Sequence, residues 1–208
     1  MRLRAAHGRG ANGRQIMPRP LRVATIVGSL RRESFSRKTA NALAALAPDQ
    51  LALEIVEIGD LPLYNEDLDH GEPPAAWARF REEMRGHEAV LFVTPEYNRS
   101  VPGVLKNAID VGSRPYGHSI WAKKPGAVVS VTPGALGAFG ANHHLRQSAV
   151  FLDMPLMPQP EAYLAGVGSW FGEDGTLQNE KAQPFLEAFI TAFADWCDKL
   201  LKGPGELA

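Results

Sequence analysis

Residues 28–38 (GSLRRESFSRK) hold a dense set of anion-binding groups: hydroxyls at Ser29, Ser34 and Ser36, and guanidinium groups at Arg31, Arg32 and Arg37. The segment follows an apolar run and precedes a helical pattern, so the unpaired amides of a helix N-terminus join the set. Together these groups suit a terminal phosphate monoester. The spacing is neither Gly-x-Gly-x-x-Gly nor GxxxxGK[ST], which argues against a dinucleotide pyrophosphate and against a Walker-type triphosphate loop. A plainer reading makes Ser34 or Ser36 a helix N-cap and leaves the arginines in solvent. That reading accounts for one serine and not for three.

A second segment, residues 95–103 (PEYNRSVPG), brings Glu96, Tyr97 and Asn98 together after a buried run and bends through Pro95 before a helix that starts near Pro102. An aromatic ring beside amide donors and acceptors fits a flat heteroaromatic ligand. A turn in which Asn98 and Ser100 satisfy their own backbone fits the same residues. The third segment, TPGALGAFGANHH from Thr132, spaces Gly134, Gly137 and Gly140 by three, which lets backbone approach a ligand or simply turn. His143 and His144 are adjacent and diverge by about 100° on a helix, so they do not share a metal. The acidic stretch 60–72 lacks EF-hand spacing and reads as a solvated loop.

The elements that position these segments follow from periodicity. Apolar, β-branched runs at 21–27, 52–58, 88–94, 125–132 and 161–165 read as strands buried on both faces. Helical patterns at 37–47, 75–87, 101–111, 142–152 and about 180–201 alternate with them. In the last, Phe185, Phe189, Phe193, Trp196 and Leu200 recur every three or four residues and predict a stripe docked on the sheet, with Cys197 beside it as a small buried hydrophobe. Strands alternating with helices make an open α/β sheet with helices on both faces. Flavodoxin-like order 2-1-3-4-5 and Rossmann order are its common outcomes, and both place ligands beyond the carboxyl ends of the strands, where the three polar segments lie.

Composition narrows the class. The 208 residues are expected to form one domain over 21–203, preceded by a disordered extension over 1–20, with Met17 as an alternative start. That extension holds five arginines and no acid, leaving 17 basic against 23 acidic side chains, a body charge of about −6. No basic face is offered to nucleic acid. No apolar run approaches the ~20 residues that span a bilayer, and no secretory leader is legible, so a cytoplasmic location is expected. A single cysteine excludes a disulfide framework and any multi-cysteine zinc site. Neither HExxH nor GxSxG occurs, and no nucleophile motif surrounds Cys197.

The segments GSLRRESFSR (28–37), TPEYNRSVPGVLKNAIDVGSRP (94–115) and HLRQSAVFLD (144–153), in this order, resemble the NADPH-dependent FMN reductase family, a flavodoxin-like group that includes bacterial chromate and quinone reductases. The resemblance covers 21 to about 200. It implies a three-layer sandwich around a five-stranded parallel sheet of order 2-1-3-4-5, with FMN as cofactor and NADPH or NADH as co-substrate. By position it assigns the FMN phosphate to Ser29, Arg31, Ser34, Ser36 and Arg37. The flavin ring falls to Pro95, Glu96, Tyr97 and Asn98, with Thr132 and Gly134 on its other side. Members commonly have Gly and Asn where this chain has Glu33 and Ser36; Glu33 repels a phosphate unless it points outward.

The implied reaction carries electrons from NAD(P)H through FMN to a small acceptor: a quinone, chromate, an azo compound or free flavin. The hard chemistry then belongs to the cofactor, and no acid–base dyad is needed. The alternative is a flavodoxin-like electron carrier without NAD(P)H activity of its own, against which the modest body charge counts, since carriers dock through strongly acidic faces. A homodimer or homotetramer is also implied, with Tyr116, Trp121 and Phe139 as candidate contact residues and no membrane partner.

Overall fold

The nearly uninterrupted apolar runs become strands with both faces covered, as a parallel sheet requires. The computed structural model describes residues 19–201; of the expected extension, only Arg19 and Pro20 fall among them. Five strands, β1 (Leu21–Val27), β2 (Leu51–Val56), β3 (Ala89–Thr94), β4 (Gly126–Val131) and β5 (Ala162–Leu164), pair in parallel in the order β2-β1-β3-β4-β5. The connecting helices are α1 (Phe35–Ala45), α2 (Ala75–Arg85), α3 (Gly103–Gly112), α4 (Phe139–Phe151) and α5 (Gln183–Leu201).

Alternate strand residues feed two cores. Val23, Val27, Leu91, Val93, Val129 and Val131 pack with α1 and α5, whereas Ala24, Ile26, Val90, Phe92 and Val128 pack with α2, α3 and α4. The result is the three-layer flavodoxin-like sandwich, with the strand order anticipated above. The order changes direction at β1 and β3, so the loops after those strands open a crevice at the carboxyl edge.

Two packing expectations are corrected. On α5 the seam runs through Leu186, Phe189, Ile190, Phe193, Ala194 and Cys197, while Phe185 and Leu200 are partly exposed. Phe189 and Phe193 belong to the expected stripe and to the observed seam, and Trp196 packs against the core, so the stripe is rotated at its edges rather than replaced. Trp121 is fully buried, tilted against the rings of Phe80 and Phe92, with its indole N–H donating to the Ile109 carbonyl at 3.0 Å. It therefore belongs to the core and not to a contact surface. Cys197 is buried in the α5 seam, and burial pushes its thiol up to about 12.

The acidic stretch is also less solvated than its composition suggests. Asp69 accepts two hydrogen bonds from Arg81, both at 2.7 Å, and each side chain is 5% exposed. Arg81 also donates to the Val111 carbonyl and lies over the Trp77 ring, so the long 57–74 connection is pinned to α2.

Candidate functional site

The three polar loops meet beyond the carboxyl ends of β1, β3 and β4. A cleft of about 270 Å³ there is lined by Ser29, Arg31, Ser34, Phe35, Ser36, Pro95, Glu96, Tyr97, Val131, Thr132 and Pro133. Eight of the eleven residues singled out in the sequence stand on its wall. Arg37, Asn98 and Gly134 do not. A larger groove, about 480 Å³, lies between α3 and α4 and takes only Ser100, Val101 and His144 from the loop segments and their flanks.

At one end of the cleft the first loop turns into α1. Ser34 is the N-cap of α1: its hydroxyl oxygen accepts the Arg37 N–H at 3.1 Å, and Ser29 Oγ accepts the Arg31 N–H at 3.4 Å. Each hydroxyl keeps its own proton free to donate, so the capping role and an anion-binding role coexist. Ser36 is buried, on the first turn of α1. Arg37 turns away and pairs with Glu57 at 2.8 Å. Glu33 points outward to Lys38 at 2.7 Å, and that ammonium lowers its carboxyl below the ordinary range. Glu33 therefore does not oppose an anion at this end, and the donor set fits the phosphate of FMN.

The second loop is a tight hairpin. Tyr97 and Ser100 exchange backbone hydrogen bonds at 3.1 and 2.9 Å, with Asn98 and Arg99 at φ of 49° and 63°. Two successive left-handed residues close a two-residue turn, a place that asparagine tolerates well. This is the turn reading of Asn98. Tyr97 remains on the cleft wall with its ring half-exposed.

Glu96 has a role that sequence reasoning missed. Its carboxylate accepts the Ala141 N–H at 3.1 Å, in the first turn of α4, and lies 3.7 Å from Arg99. The residue before α4, Ala138, supplies no capping side chain. Glu96 thus caps α4 from another loop, and the negative charge suits a helix N-terminus. Gly140 makes the approach possible, since a Cβ there would stand 2.6 Å from the Arg99 carbonyl oxygen. Because α4 begins at Phe139, the third loop is shorter than its glycine spacing suggests.

That loop is held from beneath. Ser130 donates to the Gly137 carbonyl at 2.6 Å, and Asn142 donates to Ser130 Oγ at 3.1 Å. Gly137 sits at φ 61°, where a Cβ would meet Tyr163 at 2.7 Å. The Gly134 N–H is already bonded to Thr132 Oγ1 at 3.1 Å, so it is not a free donor. His143 reaches Tyr163 Oη and His144 reaches Ser100 Oγ, each at 2.9 Å, so the two imidazoles part company as expected.

Against this geometry, the family model described as NADPH-dependent FMN reductase matches residues 21–168. The chain belongs to the NADPH-dependent FMN reductase family. Among its relatives is a quinone reductase of Pseudomonas putida, 67% identical over 174 residues that cover 84% of this chain and 93% of that protein. A 2-hydroxy-1,4-benzoquinone reductase of a Burkholderia species is 45% identical over 176 residues, covering 85% and 96%. Of the solved structures, FerB, a flavoenzyme NAD(P)H:(acceptor) oxidoreductase from Paracoccus denitrificans, is similar at a TM-score of 0.81 and 40% identity, covering 86% of this chain and 98% of that one. As a member of the FMN reductase family the chain is an enzyme, with FMN as cofactor and NAD(P)H as co-substrate. The carrier alternative is set aside on that ground.

Proposed function

We propose that this chain transfers electrons from NAD(P)H to quinones through FMN held in the cleft between the three loops. The convergence of Ser29, Arg31, Ser34, Ser36, Pro95, Glu96, Tyr97 and Thr132 on one cleft carries the reading. The quinone reductase names of the two relatives support the choice of acceptor. Chromate, azo compounds and free flavin rank behind quinones. FMN, when bound, supplies the hydride-accepting and electron-donating chemistry.

The chain's own residues bind and orient. Ser29, Arg31, Ser34 and Ser36, with the first-turn amides of α1, take the phosphate end. Phe35 and Val131 give the cleft apolar walls that exclude water, and Tyr97 offers a ring beside it. Glu96 keeps the second and third loops at fixed separation through Ala141. Arg37, Asn98 and Gly134 support the loops rather than line the cleft.

A small-molecule acceptor, a cytoplasmic location and a homo-oligomer complete the proposal. No helix among the described residues is long and apolar enough to cross a membrane. For self-association, exposed Val150 and Phe151 on α4 and exposed Tyr116 are the contact candidates; a sizing column that shows only a 22.6 kDa particle removes this part.

The deciding experiment is an anaerobic absorbance titration of the purified protein with FMN and then NADPH. A flavin spectrum that NADPH bleaches, and that a quinone restores, is the expected result. The double variant Ser29→Ala/Arg31→Ala is expected to lose about 100-fold in FMN affinity, two polar anchors at roughly 1.4 kcal/mol each. Unchanged FMN affinity in that variant moves the phosphate site elsewhere.

A further inference from the structure

We infer that the exposed ring of Phe139, backed by His143 and Tyr163, is a stacking subsite for planar quinone acceptors on the rim of the cofactor cleft; this rests on the quinone reading above. Phe139 is the first residue of α4 and is 54% exposed, although its side chain is wholly apolar. It is not loose. Its ring centroid lies 4.1 Å from that of His143 and 5.2 Å from that of Tyr163, while His143 and Tyr163 are nearly parallel, 9° apart at 5.9 Å.

A hydrogen-bond chain fixes the two backing rings. Tyr163 donates its single phenolic proton to Glu161 Oε1 at 2.8 Å, so its oxygen accepts from the Nε2–H of His143 at 2.9 Å. Burial, and then the Glu161 carboxylate, push the Tyr163 phenol up to about 12, so it keeps that proton. Phe139 therefore packs against two rings that are already held, which lowers the ordering cost of stacking on it.

The position is equally specific. Two residues on from Phe139, the Ala141 N–H is bound by Glu96, which itself lines the cleft. One residue on, Gly140 packs against the Arg99 carbonyl. The backbone that carries the ring is thus tied to the cleft wall through the Glu96–Ala141 bond, and the ring stands beside the lining residues rather than among them. A planar, electron-poor quinone gains from an aromatic face. A compact oxyanion such as chromate gains nothing from it, so the ring discriminates among acceptors.

The test compares the wild-type holoenzyme with Phe139→Ala, Phe139→Leu and Tyr163→Phe. Calorimetric titration of 1,4-naphthoquinone into the oxidised holoenzyme without NADPH reads binding; steady-state KM for naphthoquinone and for ferricyanide reads selectivity; anaerobic bleaching by NADPH reads the cofactor half. Phe139→Ala is expected to raise both naphthoquinone constants about five- to tenfold, the range that stacking supplies. Phe139→Leu, which keeps bulk without a π face, is expected to behave similarly, and Tyr163→Phe to give about a twofold rise. The ferricyanide KM and the bleaching rate are expected to stay at the wild-type value.

Unchanged naphthoquinone binding in Phe139→Ala overturns the inference. Equal rises for both acceptors, bleaching slowed to the same degree, or a changed particle mass with unchanged quinone binding overturn it as well. A wild-type protein that NADPH does not bleach refutes the proposed function instead, and the calorimetric titration still reads the ring on its own.

Discussion

Replacing Glu96 tests the bracing of the site directly. In the folded protein its carboxylate is 14% exposed and accepts the Ala141 N–H at 3.1 Å, filling the capping place that Ala138 leaves open. A lost N-cap costs typically ~1 kcal/mol and up to about 2, and the charge at the helix terminus accounts for about 0.3–1 kcal/mol of such an interaction. Glu96→Ala, which removes both, is therefore expected to cost about 1–2 kcal/mol, or about 2–8 °C in Tm for a domain of this size. Glu96→Gln keeps an oxygen acceptor and loses only the charge, so it is expected to cost less than about 1 kcal/mol. Urea and thermal unfolding of flavin-free protein read these values without the contribution of bound FMN. Hydrogen exchange at the Ala141 amide locates them, with faster exchange in the alanine variant and near wild-type exchange in the glutamine variant. An alanine variant as stable as wild type, or a glutamine variant that falls as far as alanine, would refute the capping assignment.

Two further predictions concern the frame around the site. Asp69→Asn leaves the buried Arg81 guanidinium without its counter-charge and is expected to destabilise by about 3–5 kcal/mol. Arg81 holds the Asp69 carboxyl below its ordinary value of 3.8, so the pair's contribution is present above that value and lost as pH falls through the lower folded one; urea midpoints from pH 6 to pH 2 are expected to lose this acid-dependent part in Asp69→Asn, and an identical acid profile counts against it. Gly137→Ala places a Cβ 2.7 Å from Tyr163 at a φ of 61°, and is expected to cost about 2–4 kcal/mol in urea unfolding; a neutral result means that the third loop yields more easily than its packing suggests.

Much of the fold was legible because strand runs such as LRVATIV and AVLFVT carry their burial in their composition, and Pro48 marks the end of the α1 region. The cleft was legible for the same reason: a ligand edge in an open parallel sheet is fixed by topology, and the polar loops fall on it. What stayed hidden depends on neighbours distant in the chain. Glu96 reads as a ligand-facing carboxylate until α4 is seen to begin beside it. Arg37 reads as a phosphate ligand until Glu57, from beyond β2, claims it. Trp121 sits among Ser119, Lys123 and Lys124, which look like surface, yet it fills the core beside Phe80 and Phe92. On α5 the centre of the stripe, Phe189 and Phe193, was legible, whereas Leu186, Ile190 and Ala194 enter the seam only through contact with the sheet.

The burial of Cys197 has a chemical consequence for an enzyme whose proposed acceptors are electrophiles. Quinones add to thiolates, and the thiolate is also the form that oxidants attack. The sole sulfhydryl of the chain lies in the α5 seam, with its acidity suppressed and no exposed surface. Burial therefore keeps the one sulfhydryl out of reach of such electrophiles, a shielding that follows from packing alone.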